Sequence, residues 1–404
     1  MGRHDEIKLG LENMEKLCAE LKQPQNDVKT IHIAGTNGKG STGSFIYSVL
    51  RECGYKVGRY TSPAVFDSRE KFQINDRYIS DEEIQKYRKI VLKAAENTEC
   101  VPTVFEVETT MAFCFFSVNK CDYSLIECGM GGRLDATNVC GNVAAAVITS
   151  ISLDHTDFLG DTTEKIAEEK SGIIKNGARV VVFKQGENIM KIIKEKCRKE
   201  NCEMIYADKE NIINTKYEND VQSFEYKGMK IETSLLGAHQ RENCITAVEC
   251  CRALGIDDEK IIKGIKNAKW NGRFETIREN PRIIIDGAHN EDAVNRLKEN
   301  VDIYYKGKKI IYITGVFKDK DYENMARICT FAEMIFTVKP NGERGLSAEK
   351  YAECIKKYNK NVCAEKSIKD ALIKSIGMAD ENSVIICFGS LSILAQLKEY
   401  VEGI

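Results

Sequence analysis

The sequence is poor in histidine, proline and tryptophan, contains no long apolar run and has almost no net charge. Its 404 residues include 5 histidines, 5 prolines and 1 tryptophan. The longest apolar runs, such as 142–152, are too short to cross a bilayer, and the start of the chain lacks the apolar core of a signal peptide. A formal net charge of −2 provides no basic field for nucleic acid. We therefore expect a cytoplasmic protein that binds neither membranes nor nucleic acid.

The sixteen cysteines are numerous, but they include no C-x-x-C pair. Because no export signal is recognised, we predict small buried thiols that stay reduced, and no metal-thiolate site. Hydrophobic residues make up 43% and charged residues 30%, which is typical of a globular protein. The length favours two domains over a single core.

Strand-like runs alternate with helical patterns through the first part of the chain. The predicted strands are 30–35, 57–62, 123–129 and 143–150, and the predicted helices are around 42–53, 81–97 and 103–118. This alternation predicts a parallel, doubly wound α/β sheet. A hairpin at 222–235, turning at Lys227-Gly228, and a helix at 239–254 complete the first domain.

A second alternating series follows the stretch 269–275. Its predicted strands are 282–288, 308–316, 333–339 and 383–390. We predict a first domain over 1–270 and a smaller α/β domain over 271–404.

The stretch "IHIAGTNGKGST" (31–42) lies between a predicted strand and a predicted helix. It departs from G-x-x-x-x-G-K-[ST], because two residues separate the first two glycines and a glycine stands between the lysine and the serine. Ser41 or Thr42 is expected to cap the helix. Peptide N–H groups at a helix start attract anions, and Lys39 adds a charge suited to β- and γ-phosphates. The alternative is an ordinary glycine turn. The predicted phosphate loop comprises Gly35, Thr36, Asn37, Gly38, Lys39, Gly40 and Ser41.

Polar side chains follow the ends of three predicted parallel strands. Ser62 follows the second strand, Glu127 ends the third and His155 follows the fourth. Ligands bind beyond the carboxyl ends of such strands. Each residue alone has an ordinary interpretation, such as a turn serine or a loop histidine. Together with the phosphate loop they predict a divalent metal site, most simply for Mg²⁺.

The stretch 161–175 predicts a helix with a lysine on its apolar face. Asp161 and Glu164 resemble a capping box, so the helix is expected to start there. Its apolar face carries Ile166, Lys170, Ile173 and Ile174. Two hypotheses remain open for Lys170: its ammonium reaches the protein rim, or it is carbamylated and becomes an anion suited to a metal.

Motifs spread over nearly the whole chain carry a specific resemblance. They are "LGLENMEKL", "IHIAGTNGKGS", "YTSP", "FEVETTMAF", "ECGMGGRLDATN", "ITSISLDHTDFLG", "EEKSGIIK", "LLGAHQRENCITA", "WNGRFE", "IIDGAHN", "GVFKDKD" and "FGSLSIL". The chain resembles folylpolyglutamate synthases, a family that includes bifunctional dihydrofolate synthases, within the Mur ligase superfamily. The resemblance implies a P-loop domain of the Mur ligase central type followed by a Rossmann-like C-terminal domain.

The resemblance also implies an ATP-driven amide ligase that works through an acyl phosphate and adds L-glutamate to a folate or to dihydropteroate. By motif match, Lys39 holds phosphates, Ser62 and Glu127 bind one Mg²⁺, and His155 with carbamylated Lys170 serves a second. K⁺ is a further candidate ion. The expected enzyme is a monomer whose partners are these small molecules.

Further site residues are implied on both domains. Asn243 and Arg273 would contact the nucleotide, and Asp286 and His289 would act on ATP and the incoming amine. Lys39, Lys170, Asp286 and His289 form the expected catalytic set. Phe105 and Glu106 match an element near the pterin pocket.

The chain departs from the family pattern mainly on the folate side. Asn13 replaces a usual arginine, Ala64 replaces a usual histidine, and 68–75 replaces a usual "ERI" segment; Glu291 stands where proline is common. These differences leave the ligase prediction in place and bear mainly on which acceptor is used. The alternatives are another Mur-type amino-acid ligase and, from a different class, a P-loop NTPase, kinase or nucleotide sensor.

Overall fold

The computed structural model describes residues 10–218 and 220–402. The described residues form two units: those up to Ser234 together with His239–Lys269, and Leu235–Ala238 together with those from Trp270 onward. The start of the chain, on which the signal-peptide expectation rests, lies outside the described residues over 1–9. Within the described ranges, no helix is both long and apolar enough to span a membrane.

The first unit contains most of the helices and strands of the described chain. Its strands are β1 (Lys29–Ala34), β2 (Val57–Tyr60), β3 (Phe72–Ile74), β4 (Arg77–Tyr78), β5 (Tyr123–Glu127), β6 (Val143–Ile148), β7 (Arg179–Phe183), β8 (Met204–Ala207), β9 (Ile212–Glu218), β10 (Val221–Tyr226) and β11 (Met229–Thr233). Its helices are α1 (Glu12–Glu20), α2 (Lys39–Glu52), α3 (Asp81–Asn97), α4 (Val104–Val118), α5 (Thr156–Leu159), α6 (Thr163–Ser171), α7 (Glu187–Lys199), α8 (Ala238–Ala253) and α9 (Asp258–Lys266).

An eight-stranded sheet with the order β4-β3-β2-β5-β1-β6-β7-β8 is the centre of this unit. The strands from β2 to β8 in this order pair in parallel, and β3 and β4 are added in antiparallel pairing at one edge. The central strands are almost wholly buried because helices cover both faces of a parallel sheet. The predicted doubly wound α/β sheet is confirmed.

Two separate clusters of apolar side chains bury the faces of this sheet. One joins α1, α3 and α4 to β2 and β3 and includes Leu17, Tyr60 and Phe115. The other joins α6 and α7 to β6 and β7 and includes Ile166 and Ile193. Burial of such side chains is the main stabilising term for the unit.

Two predicted helix starts are wrong. Helix α2 begins at Lys39 after Gly38, whose φ of 86° turns the chain, so Ser41 and Thr42 lie inside the first turn instead of capping it. For α6, the Thr162 side chain accepts the N–H of Lys165, whereas Asp161 forms an ion pair with the Lys165 ammonium. A cap needs the extended backbone that Thr162 has, and sequence spacing alone does not choose between neighbouring candidates.

The hairpin at Lys227-Gly228 is confirmed, with β10 and β11 in antiparallel pairing and both turn residues at positive φ. Strand β9, which pairs with the other edge of β10, was not predicted. Its side chains are mostly exposed and polar, so it lacks the apolar alternation that marks a half-buried strand.

The second unit is a smaller α/β unit. Its elements are β12 (Glu275–Glu279), β13 (Arg282–Ile285), α10 (Glu291–Tyr304), β14 (Lys309–Thr314), α11 (Tyr322–Ala326), β15 (Met334–Thr337), α12 (Ala348–Lys356), β16 (Val362–Ala364), α13 (Ile368–Met378), β17 (Ser383–Phe388) and α14 (Leu391–Glu402). The sheet order is β12-β13-β17-β14-β15-β16, parallel except for β12. The four predicted strands are confirmed. The two edge strands, β12 and β16, were not predicted. Both are short and half-buried, so their sequences show no clear pattern of apolar residues.

Candidate active site

The loop between β1 and α2 needs glycine at two positions because other side chains approach its backbone closely. A Cβ at Gly35 would collide with the Thr149 hydroxyl, and a Cβ at Gly38 would collide with the Asn243 side-chain oxygen. Gly38 also has a φ of 86°, a conformation that glycine adopts at little cost. The glycines therefore allow close approach as well as the turn.

Residues at the end of β6 hold this loop in place through several hydrogen bonds, three of them shorter than 3.0 Å from or to Thr36 and Asn37. The Thr36 N–H donates to the Ser150 carbonyl oxygen over 2.7 Å, and the Thr36 hydroxyl donates to the Ser152 carbonyl oxygen over 2.9 Å. The Thr149 hydroxyl donates to the Asn37 carbonyl oxygen over 2.7 Å. No side chain among the described residues caps α2. Its first N–H groups therefore suit an anion.

Lys39 and Lys170 converge on one backbone oxygen of this loop. The Lys39 ammonium donates to the Gly35 carbonyl oxygen over 3.1 Å, and Lys170 donates to the same oxygen over 2.9 Å. Lys170 is only 4% exposed, so its side chain does not reach the rim. Burial, together with the nearby charge of Lys39, lowers the pKa of Lys170 to about 7. A substantial fraction of this amine is therefore neutral at physiological pH.

The strand-end residues lie at the carboxyl edge of the parallel sheet. Glu127 is the last residue of β5 and is buried, and Ser62 follows the adjacent strand β2. His155 precedes α5 with a φ of 51°, and its side chain is 42% exposed. Its Nε2 lies 3.9 Å from an Asp154 carboxylate oxygen. Across the described ranges, no three His, Cys, Asp or Glu side chains form a ready metal-ligating group.

A buried polar network behind Glu127 was not predicted from the sequence. The His32 Nε2 lies 2.8 Å from the Thr137 hydroxyl and 3.1 Å from the Cys128 sulfur. The Asp135 carboxylate accepts the N–H groups of Met130 and Thr137, so it fixes the loop after β5. Burial lowers the pKa of His32 to about 3 and raises the pKa of Asp135. The only signal in the sequence was a histidine between two isoleucines of β1.

Asn243 on α8 lies against the phosphate loop, as its close approach to Gly38 indicates. Its amide donates to Gln240 over 3.1 Å, and the Gln240 amide donates to the Ser41 hydroxyl over 3.3 Å. This chain of amides connects α8 with the first turn of α2. Asn243 is thus placed beside the loop that the sequence marked for phosphate.

Phe105 and Glu106, the predicted pterin residues, have different surroundings. The Phe105 ring lies 6.2 Å from the Tyr60 ring and close to Gly129, just after Glu127. The buried Glu106 carboxylate accepts the N–H of Thr103 over 2.6 Å and the Asn13 amide over 3.2 Å. Glu106 therefore closes a capping box for α4, a structural use that the motif match did not include.

Arg273, Asp286 and His289 come together within the second unit, where β13 ends. The buried Asp286 carboxylate accepts the N–H groups of Phe274 and Ala288 over 2.9 and 2.8 Å. Burial raises the pKa of Asp286, and the charge of Arg273 opposes that shift. The His289 Nδ1 lies 2.8 Å from the Gly287 carbonyl oxygen and donates to it. When the ring is neutral and Nδ1 carries the proton, Nε2 is the nitrogen that can accept one.

Comparison with known proteins identifies both parts of the chain. Residues 33–251 match the Mur ligase middle domain, and residues 272–391 match the glutamate ligase domain of Mur ligases. The chain is 34% identical to a dihydrofolate synthase/folylpolyglutamate synthase from Bacillus subtilis, with 98% of this chain and 96% of the relative covered.

Solved structures agree with these matches. A Mycobacterium tuberculosis folylpolyglutamate synthase complexed with ADP and AMPPCP superposes with a TM-score of 0.90 at 25% identity, covering 98% of this chain and 96% of that one. A Thermotoga maritima folylpolyglutamate synthase gives 0.84 at 31% identity, covering 98% and 94%. The chain therefore belongs to the dihydrofolate synthase/folylpolyglutamate synthase family of the Mur ligases.

Proposed function

We propose that this enzyme is an ATP-dependent ligase that joins L-glutamate to the γ-carboxylate of folates. The observation that carries the proposal is an uncapped helix start behind a glycine loop with two lysines, in a chain that matches such synthases along nearly its whole length. The folate carboxylate takes the γ-phosphoryl group of ATP, releasing ADP and forming an acyl phosphate. The glutamate amine then attacks the acyl carbon, inorganic phosphate leaves, and the amine loses one proton.

We assign phosphate binding to the loop Gly35–Ser41 and to Lys39. The N–H groups at the start of α2 point their positive ends toward a bound phosphate. The Lys39 ammonium is already anchored on the carbonyl oxygens of Gly35 and Thr36, so little side-chain freedom is lost on binding. Asn243 supports the same loop and is a proposed nucleotide contact. Arg273, which belongs to the second unit, is a proposed nucleotide contact as well.

The residues at the sheet edge fit Mg²⁺ by their chemistry. Ser62 and Glu127 offer hard oxygen ligands at the ends of neighbouring strands, as Mg²⁺ prefers. When bound, Mg²⁺ would neutralise phosphate charge during phosphoryl transfer. His155 and Lys170 would hold a second ion. Replacing K⁺ by Na⁺ in the assay tests K⁺ as a further ion.

The ammonium form of Lys170 would repel a cation, whereas a carbamate on the same nitrogen would attract one. The neutral amine that burial favours can attack CO₂: a carbon–nitrogen bond forms, an amine proton leaves, and a carbamate anion results. Lys170→Ala should be nearly inactive, with partial rescue by short carboxylic acids. High-resolution density for an unmodified lysine, in bicarbonate with Mg²⁺ and nucleotide bound, would rule out the carbamate.

The second unit, which we propose as the glutamate-ligase domain over 271–404, acts on the amine. His289 Nε2 accepts a proton from the attacking nitrogen, and Asp286 keeps the loop after β13 in place through its two N–H contacts. The first domain, over 1–270, binds ATP.

The sixteen unpaired thiols support a reducing cytoplasm as the compartment. A monomer is the proposed form, which size-exclusion chromatography tests.

The acceptor decides between two related activities. We propose folates as the main acceptor and dihydropteroate as a second one. The Phe105 ring beside Gly129 supports a stacking site for the pterin, whereas Glu106 is already occupied by Thr103 and Asn13. The direct test is a parallel assay of tetrahydrofolate and dihydropteroate with ATP, Mg²⁺ and L-glutamate. ADP release that needs both glutamate and tetrahydrofolate supports the proposal, and turnover of dihydropteroate alone would overturn it.

A further inference from the structure

A cavity of about 260 Å³ lies in the second unit, away from Asp286 and His289 in sequence. Its walls include Lys318, Lys339 and Lys350, with Tyr322 and Ser347 between them. No carboxylate belongs to this lining in the described chain. Pockets for drug-sized ligands usually hold about 300–1,000 Å³. The volume therefore suits a small anionic group better than a whole pterin.

The walls of this cavity are joined backbone to backbone. The Leu346 N–H donates to the Val316 carbonyl oxygen over 3.0 Å, and the Lys318 N–H donates to the Arg344 carbonyl oxygen over 2.9 Å. Gly345 approaches the Pro340 carbonyl so closely that no side chain would fit there. The two loops that follow β14 and β15 are thus tied together, and the cavity has a defined shape.

Two of the three ammonium groups in the cavity are available to a ligand, whereas the Lys318 ammonium donates to the Glu343 carbonyl oxygen over 2.8 Å. Neither Lys339 nor Lys350 makes an ion pair with a described residue, and the Lys350 ammonium lies 6.0 Å from the centre of the Tyr322 ring. Arg344, whose carbonyl oxygen accepts the Lys318 N–H, is already paired with Asp319 over 2.9 Å. Like charges close together repel one another. A bound anion with more than one carboxylate relieves that repulsion.

The cavity also lies on the functional edge of its sheet. It is built from the loops at the carboxyl ends of β14 and β15, and Asp286 follows the carboxyl end of β13 in the same parallel set. Neighbouring strands lie about 4.8 Å apart, and β17 lies between β13 and β14. Strands β14 and β15, whose loops build the cavity, are therefore roughly 10 and 14 Å from β13, which leads to Asp286. Ligands of parallel sheets bind along this edge.

We infer that this lysine-lined cavity binds the carboxylates of a γ-glutamyl chain on a folate that has already been extended. The inference rests on the proposed function, because a γ-linked chain keeps one free α-carboxylate on every residue that the reaction adds. Affinity for the folate then grows with chain length.

The test compares the wild type with the double variant Lys339→Ala/Lys350→Ala. The matched control is Lys360→Ala, which removes an exposed lysine outside the cavity. The KM is measured for tetrahydrofolate carrying one and four glutamates, and for L-glutamate. We expect the double variant to raise the KM for the tetraglutamate about fivefold with kcat unchanged, and to change the other two KM values less than twofold. Lys360→Ala should match the wild type, and circular dichroism should show all three folded.

Other results overturn the inference. A raised KM for L-glutamate would make the cavity a site for the incoming amino acid, and equal changes at both chain lengths would remove the chain-length role. Calorimetry with tetra-γ-glutamate that lacks a pterin tests the cavity without catalysis, so it separates this inference from the ligase proposal. Tripolyphosphate binding as tightly as the peptide, or peptide binding that is equal in the double variant, would contradict it.

Discussion

The Gly35 carbonyl oxygen accepts hydrogen bonds from two lysine side chains, although one of these lysines is more than a hundred residues away in the chain. Lys39 contributes charge at the start of α2, and Lys170 lies buried behind it. Positive charge placed in advance of phosphoryl transfer stabilises the charge of the transition state.

Replacing Lys39 by alanine should therefore lower the rate of folate- and glutamate-dependent ADP formation by about 10²–10³-fold or more. This is the usual effect of losing one group that stabilises transition-state charge. The fold should stay intact by circular dichroism. Lys191→Ala, an exposed lysine on α7, is the matched control and should keep full activity. Near-normal turnover by Lys39→Ala would contradict the assignment.

His32 makes the stability of the first unit sensitive to acid. Its pKa is lowered by burial to about 3, whereas an unfolded histidine has a pKa near 6.5. Between these values the unfolded chain binds a proton that the folded chain does not. This contribution is therefore complete above about pH 6.5 and is lost as the pH falls, by up to about 1.4 kcal/mol per pH unit.

His32→Gln lacks this titration, so its free energy of unfolding should fall less steeply between about pH 6 and pH 4. Urea unfolding at several pH values measures both slopes, and the other titrating groups are common to both proteins. Equal slopes would show that His32 does not titrate as burial requires.

At the level of the element, α2 has a glycine in left-handed backbone at each end. Gly38 has a φ of 86° and Gly54 a φ of 83°, but only Gly38 has a neighbour, Asn243, where a Cβ would stand. Alanine at either position should cost about 1 kcal/mol through backbone strain. Only Gly38→Ala should also displace Asn243 and raise the KM for ATP about tenfold or more.

Thermal unfolding and ATP kinetics on the two variants separate these effects. We expect both variants to lose a similar amount of stability, and only Gly38→Ala to have a raised KM for ATP. An equal rise in KM for Gly54→Ala would mean that backbone strain, and not the Asn243 contact, controls the loop.

For the whole molecule, the thiols report on folding. Twelve of the sixteen cysteines are buried, and four, Cys53, Cys100, Cys202 and Cys363, are half-buried. Burial raises the pKa of buried thiols such as Cys114, to about 12, so little thiolate is present at neutral pH. Native protein should react with a thiol reagent at no more than about four sites, and denatured protein at all sixteen, as counted by mass spectrometry. Rapid labelling of Cys244 or Cys387 without denaturant would contradict this packing.

Local pattern determined much of this protein. Apolar runs ending in polar residues predicted eight of the parallel strands, because this signal lies within a few neighbouring residues, but β7 and β8 were not predicted, although β7 is buried. The glycine loop before a helix predicted a phosphate site in the same local way. The periodicity of 161–175 also placed Lys170 on a buried face, which the structure confirms. The exposed or mixed edge strands β9, β12 and β16 left no such signal.

The tertiary structure alone decided where these side chains go. Lys170 meets Gly35 across 135 positions of sequence, His32 meets Thr137 across 105, and Asn243 lies beside Gly38 only because α8 packs against the loop. Glu106 completes the capping box of α4 and also accepts the Asn13 amide, and Thr162 rather than Asp161 caps α6. Such contacts depend on how buried faces pack together, which the period of a pattern constrains but does not specify.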